Sequence, residues 1–216
     1  MSKPKRLSTG GSRINRTARL SFTFDGKVMS GYAGDTLAAA VMANGQKLFG
    51  RSYKYHRPRG VIGLGSEEMN ALVGVGAGAR HEPNQRATQV ELFEGMAAVS
   101  QNRFPSLTFD VGAINNTLSR LFPGGFYYKT FMWPKAFWKH IYEPVIRKAA
   151  GLGVAPEGRD PDSYEQIHVH ADVVVVGGGI AGLAAAEAAA AAGARVIIAD
   201  ENPVLGGIAD LEDGTI

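Results

Sequence analysis

Cysteine is absent from the 216 residues of this sequence. Such a chain forms no disulfide, supplies no thiolate to zinc or to an iron–sulfur cluster, and contains no cysteine nucleophile. The sequence therefore predicts that no iron–sulfur cluster is bound. We also expect no metal site, because the five histidines are scattered, and His168 and His170 would point to opposite sides of a strand.

Long apolar segments are missing as well. An alanine-rich run comes nearest, but it contains Glu187 and is bounded by Gly182 and Gly193. We therefore expect no membrane-spanning helix and no membrane partner. A chain with neither cysteine nor a membrane span fits a cytoplasmic location, and we predict that location.

Acidic residues are absent from the first 19 positions, which hold six of the 23 lysines and arginines. The other 17 basic residues are outnumbered by 20 acidic ones, so the basic character belongs to the start of the chain. A nucleic-acid-binding protein needs a basic face on a folded module, and we expect no nucleic-acid partner. Residues 1–18 instead indicate a polar arm that lies on the surface or on a partner.

Residues 19–78 begin with the pattern of a β-hairpin. Apolar and polar residues alternate over 20–25, which predicts a strand. Asp25-Gly26 is a dipeptide favoured in tight hairpin turns, because both positions tolerate a positive φ. A second strand is predicted over 27–31.

A helix is predicted next, over 37–43. Asp35 or Thr36 caps its free N–H groups, and Asn44-Gly45 supplies a left-handed stop. A hairpin followed by a crossing helix is typical of the start of a β-grasp, the ferredoxin-like fold. In a plant-type ferredoxin the loop after this helix carries the cluster-binding cysteines, whereas this chain has none there.

The loop 50–60, with the sequence GRSYKYHRPRG, is rich in positive charge. Two interpretations stay open. Guanidinium groups match phosphate oxygens, which favours an anion clamp; a positive surface loop also pairs with the acids of a neighbouring domain. The loop interleaves basic residues with tyrosines: Arg51, Tyr53, Lys54, Tyr55, His56, Arg57 and Arg59.

Residues 79–170 show weak periodicity and many turn residues, and we interpret them as a connecting region. Eight aromatic residues fall between Phe126 and Tyr142. Rings at this density bury much apolar surface at low entropic cost, so the block predicts core packing or a buried interface.

The segment from residue 171 to 216 opens like a dinucleotide-binding domain. Residues 173–176 predict a short inner parallel strand, 180–192 a helix and 195–199 a second strand. Between strand and helix the sequence reads G-x-G-x-x-G. The candidate cofactor-binding residues are Gly177, Gly178, Gly179, Ile180, Ala181, Gly182, Asp200 and Glu201.

Each glycine of the motif is expected to be required for a different structural reason. Gly177 permits the tight turn, Gly179 lets backbone N–H groups approach a pyrophosphate, and Gly182 lets the helix pack closely on the sheet. The positive end of the helix faces the phosphates. Asp200 ends the second strand, 18 positions after Gly182, where its carboxylate can accept hydrogen bonds from ribose hydroxyls.

The acid at Asp200 also bears on which dinucleotide binds. A carboxylate repels a 2′-phosphate, so NAD or FAD is preferred to NADP. NAD and FAD present the same ADP half to this unit, so the motif leaves NAD, with FAD as the alternative, open. The fold class predicted is thus α+β and α/β: a cysteine-free β-grasp region, then the first β-α-β unit of a Rossmann-like FAD/NAD-binding domain.

The blocks RLSFTFDGK, GDTLAAAVMANG, FGRSYKYHRPRG, EEMNALV, SQNRFPSL, GGFYYKTFMWP, YEPVIRKAAGLG and DPDSY precede the glycine motif. In this order the sequence resembles the N-terminal part of the α subunits of heterotetrameric sarcosine oxidases. Related α subunits of the cyanide synthase, opine oxidase and proline dehydrogenase types share the glycine unit.

The resemblance implies an enzyme that oxidatively demethylates sarcosine to glycine, with oxygen reduced to hydrogen peroxide and the one-carbon unit passed to tetrahydrofolate. It implies partners: a flavin-bearing β subunit and the smaller subunits of a heterotetramer. FAD is then expected in the β subunit and FMN near the interface, while the α subunit binds NAD. By the motif match, Gly177, Gly179, Gly182 and Asp200 would contact NAD, and Gly178 and Ile180 would contribute N–H groups.

The resemblance also implies that this chain is a fragment or a truncated gene product, several-fold shorter than the family's subunits. We expect it to hold no catalytic residue and to be inactive alone. The alternative is a non-catalytic assembly module of a flavin-dependent amine or amino-acid dehydrogenase complex, in which the nucleotide site is vestigial. Aromatic and arginine enrichment is typical of such interfaces.

Overall fold

A computed structural model describes residues 6–11, 13–121, 124–125, 133–149, 151–156, 158–202, 204–207 and 209. The described residues form two compact units. The first runs to residue 161, apart from Thr9–Ser12, and the second comprises those residues with Asp162–Ile216. Across the described ranges, every helix is too short or too polar to cross a bilayer.

The first unit begins with the predicted hairpin. Strands β1 (Asn15–Phe24) and β2 (Lys27–Ala33) pair antiparallel, with Phe24 opposite Lys27. Asp25 (φ 49°) and Gly26 (φ 75°) both take the left-handed conformation that a two-residue turn requires. The hairpin prediction is confirmed, and β1 starts five residues before position 20, where the strand was expected to begin.

Helix α1 (Leu37–Ala43) confirms the second local prediction and selects one of its two caps. The backbone N–H of Ala39 donates to Oγ of Thr36 over 3.2 Å, so Thr36 is the N-cap. Gly45 (φ 86°) follows the C-cap Asn44. The helix buries an apolar face of small residues because alanines allow close approach to the sheet.

A five-stranded mixed sheet completes this unit, in the order β2-β1-β7-β5-β6. Strand β7 runs parallel to β1, and the other pairs are antiparallel. Two of its strands lie beyond residue 78, where we expected the connecting region to begin. The remaining strands are β3 (Gly50–Arg51), β4 (Pro58–Arg59), β5 (Leu72–Val75), β6 (Glu82–Arg86) and β7 (Ala97–Ser100).

The core lies between this sheet and α1. The rings of Phe24 and Phe49 meet at 5.8 Å, and Leu37, Val41 and Val73 are fully buried beside them. Burying a side chain of this size contributes about 2 kcal/mol. This core holds the strand ends that carry the loop 50–60.

An ion pair ties Arg6 of the basic arm to Asp35, just before α1. The guanidinium of Arg6 donates from both Nη atoms to the carboxylate of Asp35, over 2.7 and 2.6 Å, and lies over the ring of Tyr32. Asp35 is 1% exposed and also accepts the backbone N–H of Tyr32. Asp35 is therefore the anchor of the arm rather than a helix cap.

Short helical segments occur between β5 and β6 and after β7. They are three 3-10 turns, a π-helical turn and two helices: Gly78–Arg80, Val111–Ala113, α2 (Ile114–Thr117), Ser119–Leu121, Trp138–Tyr142 and α3 (Glu143–Ala149). Residues 126–132 of the aromatic block lie outside the described residues. Of its described members, Trp133 is 82% exposed, which is not core packing in this chain; the packing interpretation remains a prediction for the rest.

The second unit is one β-α-β crossover. Strand β8 (Val173–Val176), helix α4 (Ile180–Ala191) and strand β9 (Val196–Ala199) follow in order, and β8 pairs with β9 in parallel. These bounds agree with the prediction to within one residue. His168 and His170 precede β8 in exposed chain outside any strand.

Candidate dinucleotide-binding site

The glycine loop connects the carboxyl end of β8 to the first turn of α4. The backbone N–H of Gly177 donates to the carbonyl of Ala199 over 2.8 Å, which continues the ladder between the two strands. The loop therefore starts where both parallel strands end, the edge at which α/β sheets bind ligands.

Two glycines of the motif are required by the fold of the chain itself. Gly177 has φ 101°, a conformation that side-chain-bearing residues rarely adopt. A Cβ on Gly182 would lie 1.9 Å from the carbonyl oxygen of Gly177 and 3.3 Å from Val175. Both the turn and the close packing predicted for these positions are present.

Gly179 is different, because none of the described residues requires it to be glycine. A Cβ built there meets no atom within 4 Å, and its φ is −71°. The space above this residue is open, beside the N-terminus of a twelve-residue helix. Because Gly179 has no side chain and lies next to helix N–H groups without helical partners, a diphosphate could approach the backbone closely at this position.

Asp200 lies against the loop, but its carboxylate is engaged within the chain. Oδ2 accepts the backbone N–H of Gly178 over 2.5 Å, and Oδ1 accepts the backbone N–H of Asn202 over 2.8 Å. The bond from Gly178, followed by those from Asn202, lowers the pKa of this carboxyl below its usual value. Gly178, expected to offer its N–H to phosphate, donates it to Asp200 in this structure.

The segment 204–207 also borders the loop. The N–H of Gly206 donates to the carbonyl of Gly178 over 2.8 Å, and Gly206 forms a parallel bridge with Gly179. A Cβ on Gly178 would lie 2.4 Å from Leu205, so this leucine covers the loop. Leu205 could not be predicted from the sequence as part of the site, because a lone leucine carries no motif.

The remaining predicted residues sit at the rim of this site. Ile180 is 58% exposed and Ala181 is exposed at the start of α4. Glu201 is exposed and, in the part of the chain that is described, makes no hydrogen bond or ion pair. The eight candidates thus lie together around one loop.

The basic loop of the first unit is held by a buried carboxylate. Asp110 is 8% exposed, and its Oδ2 lies 2.6 Å from Nδ1 of His56 and 3.9 Å from Nε of Arg51. Arg51 also donates to the carbonyls of Leu107 and His56. These groups serve the chain's own structure rather than a ligand.

Tyr55 organises the outer part of the same loop. The guanidinium of Arg57 lies 4.8 Å from the centre of its ring, the ammonium of Lys54 lies 5.0 Å away, and Arg57 donates to the side chain of Asn116. Four of the five basic residues of the loop thus have partners within the first unit: Arg51, Lys54, His56 and Arg57. Arg59 is the exception: its carbonyl accepts the N–H of Phe49, but its guanidinium makes no hydrogen bond or ion pair among the described residues.

Two carboxylates collect the N–H groups of the next loop. Glu68, 1% exposed, accepts the backbone N–H groups of Ile62, Gly63, Asn70 and Ala71 over 2.6 to 3.1 Å. Burial raises the pKa of this carboxyl, but the four bonds outweigh burial and the net pKa is lowered. The neighbouring Glu67 accepts from Leu64 and Gly65, and these bonds lower its pKa as well.

Two family models match the chain. Residues 17–103 match a 2Fe-2S iron-sulfur cluster binding domain, and residues 172–210 match an FAD dependent oxidoreductase. The second match covers β8, the glycine loop and β9. Together the matches support an α+β region followed by a flavin-oxidoreductase-like α/β region.

Curated relatives match almost the whole chain. Sarcosine oxidase subunit alpha of Rhizobium meliloti (strain 1021) is 57% identical over 94% of this chain and 21% of the relative. This chain is similar to one part of sarcosine oxidase subunit alpha. The alpha subunits of Corynebacterium sp. (strain U-96) and (strain P-1) are 39% and 36% identical over 96% and 91% of the chain. The resemblance predicted from the sequence is confirmed, and the chain spans about a fifth of the length of these alpha subunits.

The match to the 2Fe-2S domain shows that one prediction from the sequence is wrong. We predicted that no iron–sulfur cluster is bound, and the match of residues 17–103 to a 2Fe-2S cluster binding domain contradicts that prediction. The residues of this chain do not fit thiolate ligation, since cysteine is absent and no group of three His, Asp or Glu in the described ranges could hold a metal ion. No step proposed below passes through a cluster.

Among solved structures, L-proline dehydrogenase from P. horikoshii is 19% identical, with a TM-score of 0.43, over 89% of this chain and 26% of that chain. A likeness of this size supports no conclusion about the fold. The β-grasp assignment of the first unit stays a prediction.

Proposed function

We propose that this chain belongs to an oxidoreductase subunit and that its glycine loop binds the ADP half of a dinucleotide. One observation carries the proposal: Gly179 lies beside a helix N-terminus with open space where a side chain would be. The matches to alpha subunits of sarcosine oxidase and to an FAD dependent oxidoreductase support the same class of function.

In this proposal the chain binds and orients the nucleotide. The first turn of α4 directs backbone N–H groups and its partial positive charge at the diphosphate. Gly179 keeps the approach clear, while Asp200 accepts the ribose hydroxyls, for which its oxygens have lone pairs beyond those used by Gly178 and Asn202. The described residues contribute no catalytic group.

The identity of the dinucleotide is the finer part of the proposal. The carboxylate of Asp200 disfavours a 2′-phosphate, which favours NAD or FAD. NAD is what the resemblance to sarcosine oxidase alpha subunits implies, and the match of residues 172–210 to a flavin oxidoreductase model favours FAD. Both are tested below.

The reaction of the whole enzyme is proposed from the same resemblance. The parent enzyme would oxidise sarcosine to glycine, with formation of hydrogen peroxide and methylene-tetrahydrofolate, in a heterotetramer whose flavin-bearing subunit performs the oxidation. The cytoplasmic location remains a prediction.

Titration of NAD and FAD against the chain, as wild type and as Gly179→Val, tests the site. We expect at least a tenfold loss of affinity for one dinucleotide, because the valine would occupy the space of the diphosphate. Gly124→Val is the matched control: Gly124 also has open space and no positive φ, but lies outside the loop. Equal binding by wild type and Gly179→Val would remove the loop from the site.

A second candidate is the assembly module, favoured by exposed apolar residues after the sheet. Phe104 is 72%, Phe109 70% and Ile114 60% exposed. Rings exposed this far are typical of interface anchors. If the chain co-purifies with a flavin-bearing subunit but never retains a dinucleotide, the assembly function is preferred.

A further inference from the structure

A cavity of about 270 Å³ opens in the first unit, away from the glycine loop. It lies where β3 and β4 meet the start of β5, the middle of β6 and the residues that follow β7. Its polar wall comprises Arg51, Arg59, Asn70, Asn84, Gln101 and Asn102. The function proposed above uses none of these residues.

The charge of the cavity has one sign. None of the described residues that line it is acidic, and two are arginines. Arg51 is already committed, because it donates to the carbonyls of Leu107 and His56 and lies near Asp110. The guanidinium of Arg59 has no hydrogen-bond or ion-pair partner among the described residues, so it is available to a ligand.

The amides of the wall are fixed in place. Asn84 and Gln101 exchange two hydrogen bonds of 3.0 Å, and Oδ1 of Asn84 also accepts the N–H of Gly153. Asn102 donates from Nδ2 to the carbonyl of Arg51 over 2.9 Å. Polar groups held this way are preorganised for recognition.

Two further observations point to a ligand. Asn84 (φ 61°) and Asn102 (φ 54°) both hold left-handed backbone conformations, and strained residues of this kind cluster at binding sites. The side-chain amide of Asn70, half-buried at the wall, makes no hydrogen bond to any described residue. Such a group at a cavity wall is open to an incoming acceptor.

We propose that this cavity binds a small organic carboxylate. A guanidinium forms a bidentate pair with a planar carboxylate, and a neighbouring amide N–H can donate to the same group. The cavity is at the small end of the range for ligand sites, which suits a molecule of few heavy atoms. Arg59 would pair with the carboxylate and Asn70 would orient it.

The test is a titration of the full chain with propionate and with its neutral isostere propionamide, followed by ligand-observed NMR. We expect saturable binding of propionate, at least tenfold weaker binding of propionamide, and at least tenfold weaker propionate binding by Arg59→Gln. Arg86→Gln is the matched control, since Arg86 is exposed on β6, its guanidinium has no partner among the described residues, and it does not line the cavity. It should change affinity less than twofold.

Asn70→Ala provides a second variant should Arg59→Gln lose its native circular dichroism spectrum, and it should weaken propionate binding at least threefold. Equal binding of propionate and propionamide, or equal losses in Arg59→Gln and Arg86→Gln, would overturn the proposal. Tighter binding of inorganic phosphate than of propionate would also overturn it, because the ligand of the cavity would then be a phosphate rather than a carboxylate. None of these outcomes depends on dinucleotide binding at the glycine loop.

Discussion

The three motif glycines are glycine for different reasons, and the structure separates them. Gly182 lies against the Gly177 carbonyl, whereas Gly179 faces open space. The sequence motif does not distinguish these two positions. In the structure, a side chain at residue 182 would clash with the backbone, whereas a side chain at residue 179 would meet none of the described residues. Stability and ligand binding should therefore respond to different glycines.

Gly182→Ala should destabilise the second unit by about 3 kcal/mol, since a methyl group cannot fit 1.9 Å from a backbone oxygen. Gly179→Ala should change stability by less than about 1 kcal/mol, because its Cβ meets nothing. Urea unfolding monitored by circular dichroism would measure both. Equal midpoints for the two variants would mean that the loop relaxes around residue 182.

Glu68 gives a prediction of pH dependence. Its pKa in the folded chain is lowered, so its stabilisation is complete above the ordinary value of 4.5 and is lost as the pH falls through the folded pKa. Glu68→Gln should cost about 2 kcal/mol at pH 7, because an amide oxygen replaces a charged acceptor of four N–H bonds.

The difference in melting temperature between wild type and Glu68→Gln should therefore narrow below pH 4.5. Glu67→Gln is the control, since Glu67 is exposed to solvent whereas Glu68 is buried. A gap between wild type and Glu68→Gln that stays constant from pH 7 to pH 3 would contradict the charge argument.

At the scale of elements, the sequence was sufficient to predict those turns, caps and crossovers whose contacts join residues close together in the chain. The Asp25-Gly26 turn, the Thr36 cap and the crossover from β8 to β9 are each specified by a few adjacent residues, and each was predicted. The short strand β7 was not, because its pairing with β1 joins residues more than 70 positions apart. The four residues of β7, AAVS, are too few to show a clear period.

The candidate site divides in the same way. The glycine loop could be predicted because its residues are contiguous and each has a mechanical reason. The hold of Asp110 on His56 joins residues 54 apart in sequence and has no signature there. The engagement of Asp200 by Gly178 was missed because both were assigned to the ligand.

The basic arm is an element whose attachment can be measured. Arg6→Ala should destabilise the first unit by about 3 kcal/mol, because it leaves the fully buried Asp35 carboxylate without its cation. The midpoint of urea unfolding reports the loss, and Lys27→Ala on β2 provides an exposed control. Identical midpoints for the two variants would show that the arm does not support α1.

At the scale of the whole molecule, the two units differ in how well they cover apolar surface. The first buries a continuous core between sheet and helix. In the second, Val175 packs toward Gly182 of α4, while Val174 and Val176, on the opposite face of β8, are 61% and 86% exposed. Exposed β-branched residues on a two-stranded sheet favour self-association.

We therefore expect the isolated chain to self-associate and to bind a hydrophobic dye. The double substitution Val174→Thr with Val176→Thr should reduce both, as followed by light scattering and dye fluorescence. Val175→Thr should not reduce them, because this side chain faces the helix. A monodisperse wild-type chain with a sharp cooperative melt would contradict the expectation.

The bond from Gly178 to Asp200 has a kinetic consequence. Because the carboxylate of Asp200 already holds the loop in its turn, the loop does not have to become ordered when a nucleotide binds. The entropy of ordering is then spent during folding rather than at the encounter, which leaves more of the contact energy for affinity. Removing this hydrogen bond, as in Asp200→Ala, would lower the association rate constant of the nucleotide as well as raise its dissociation rate constant.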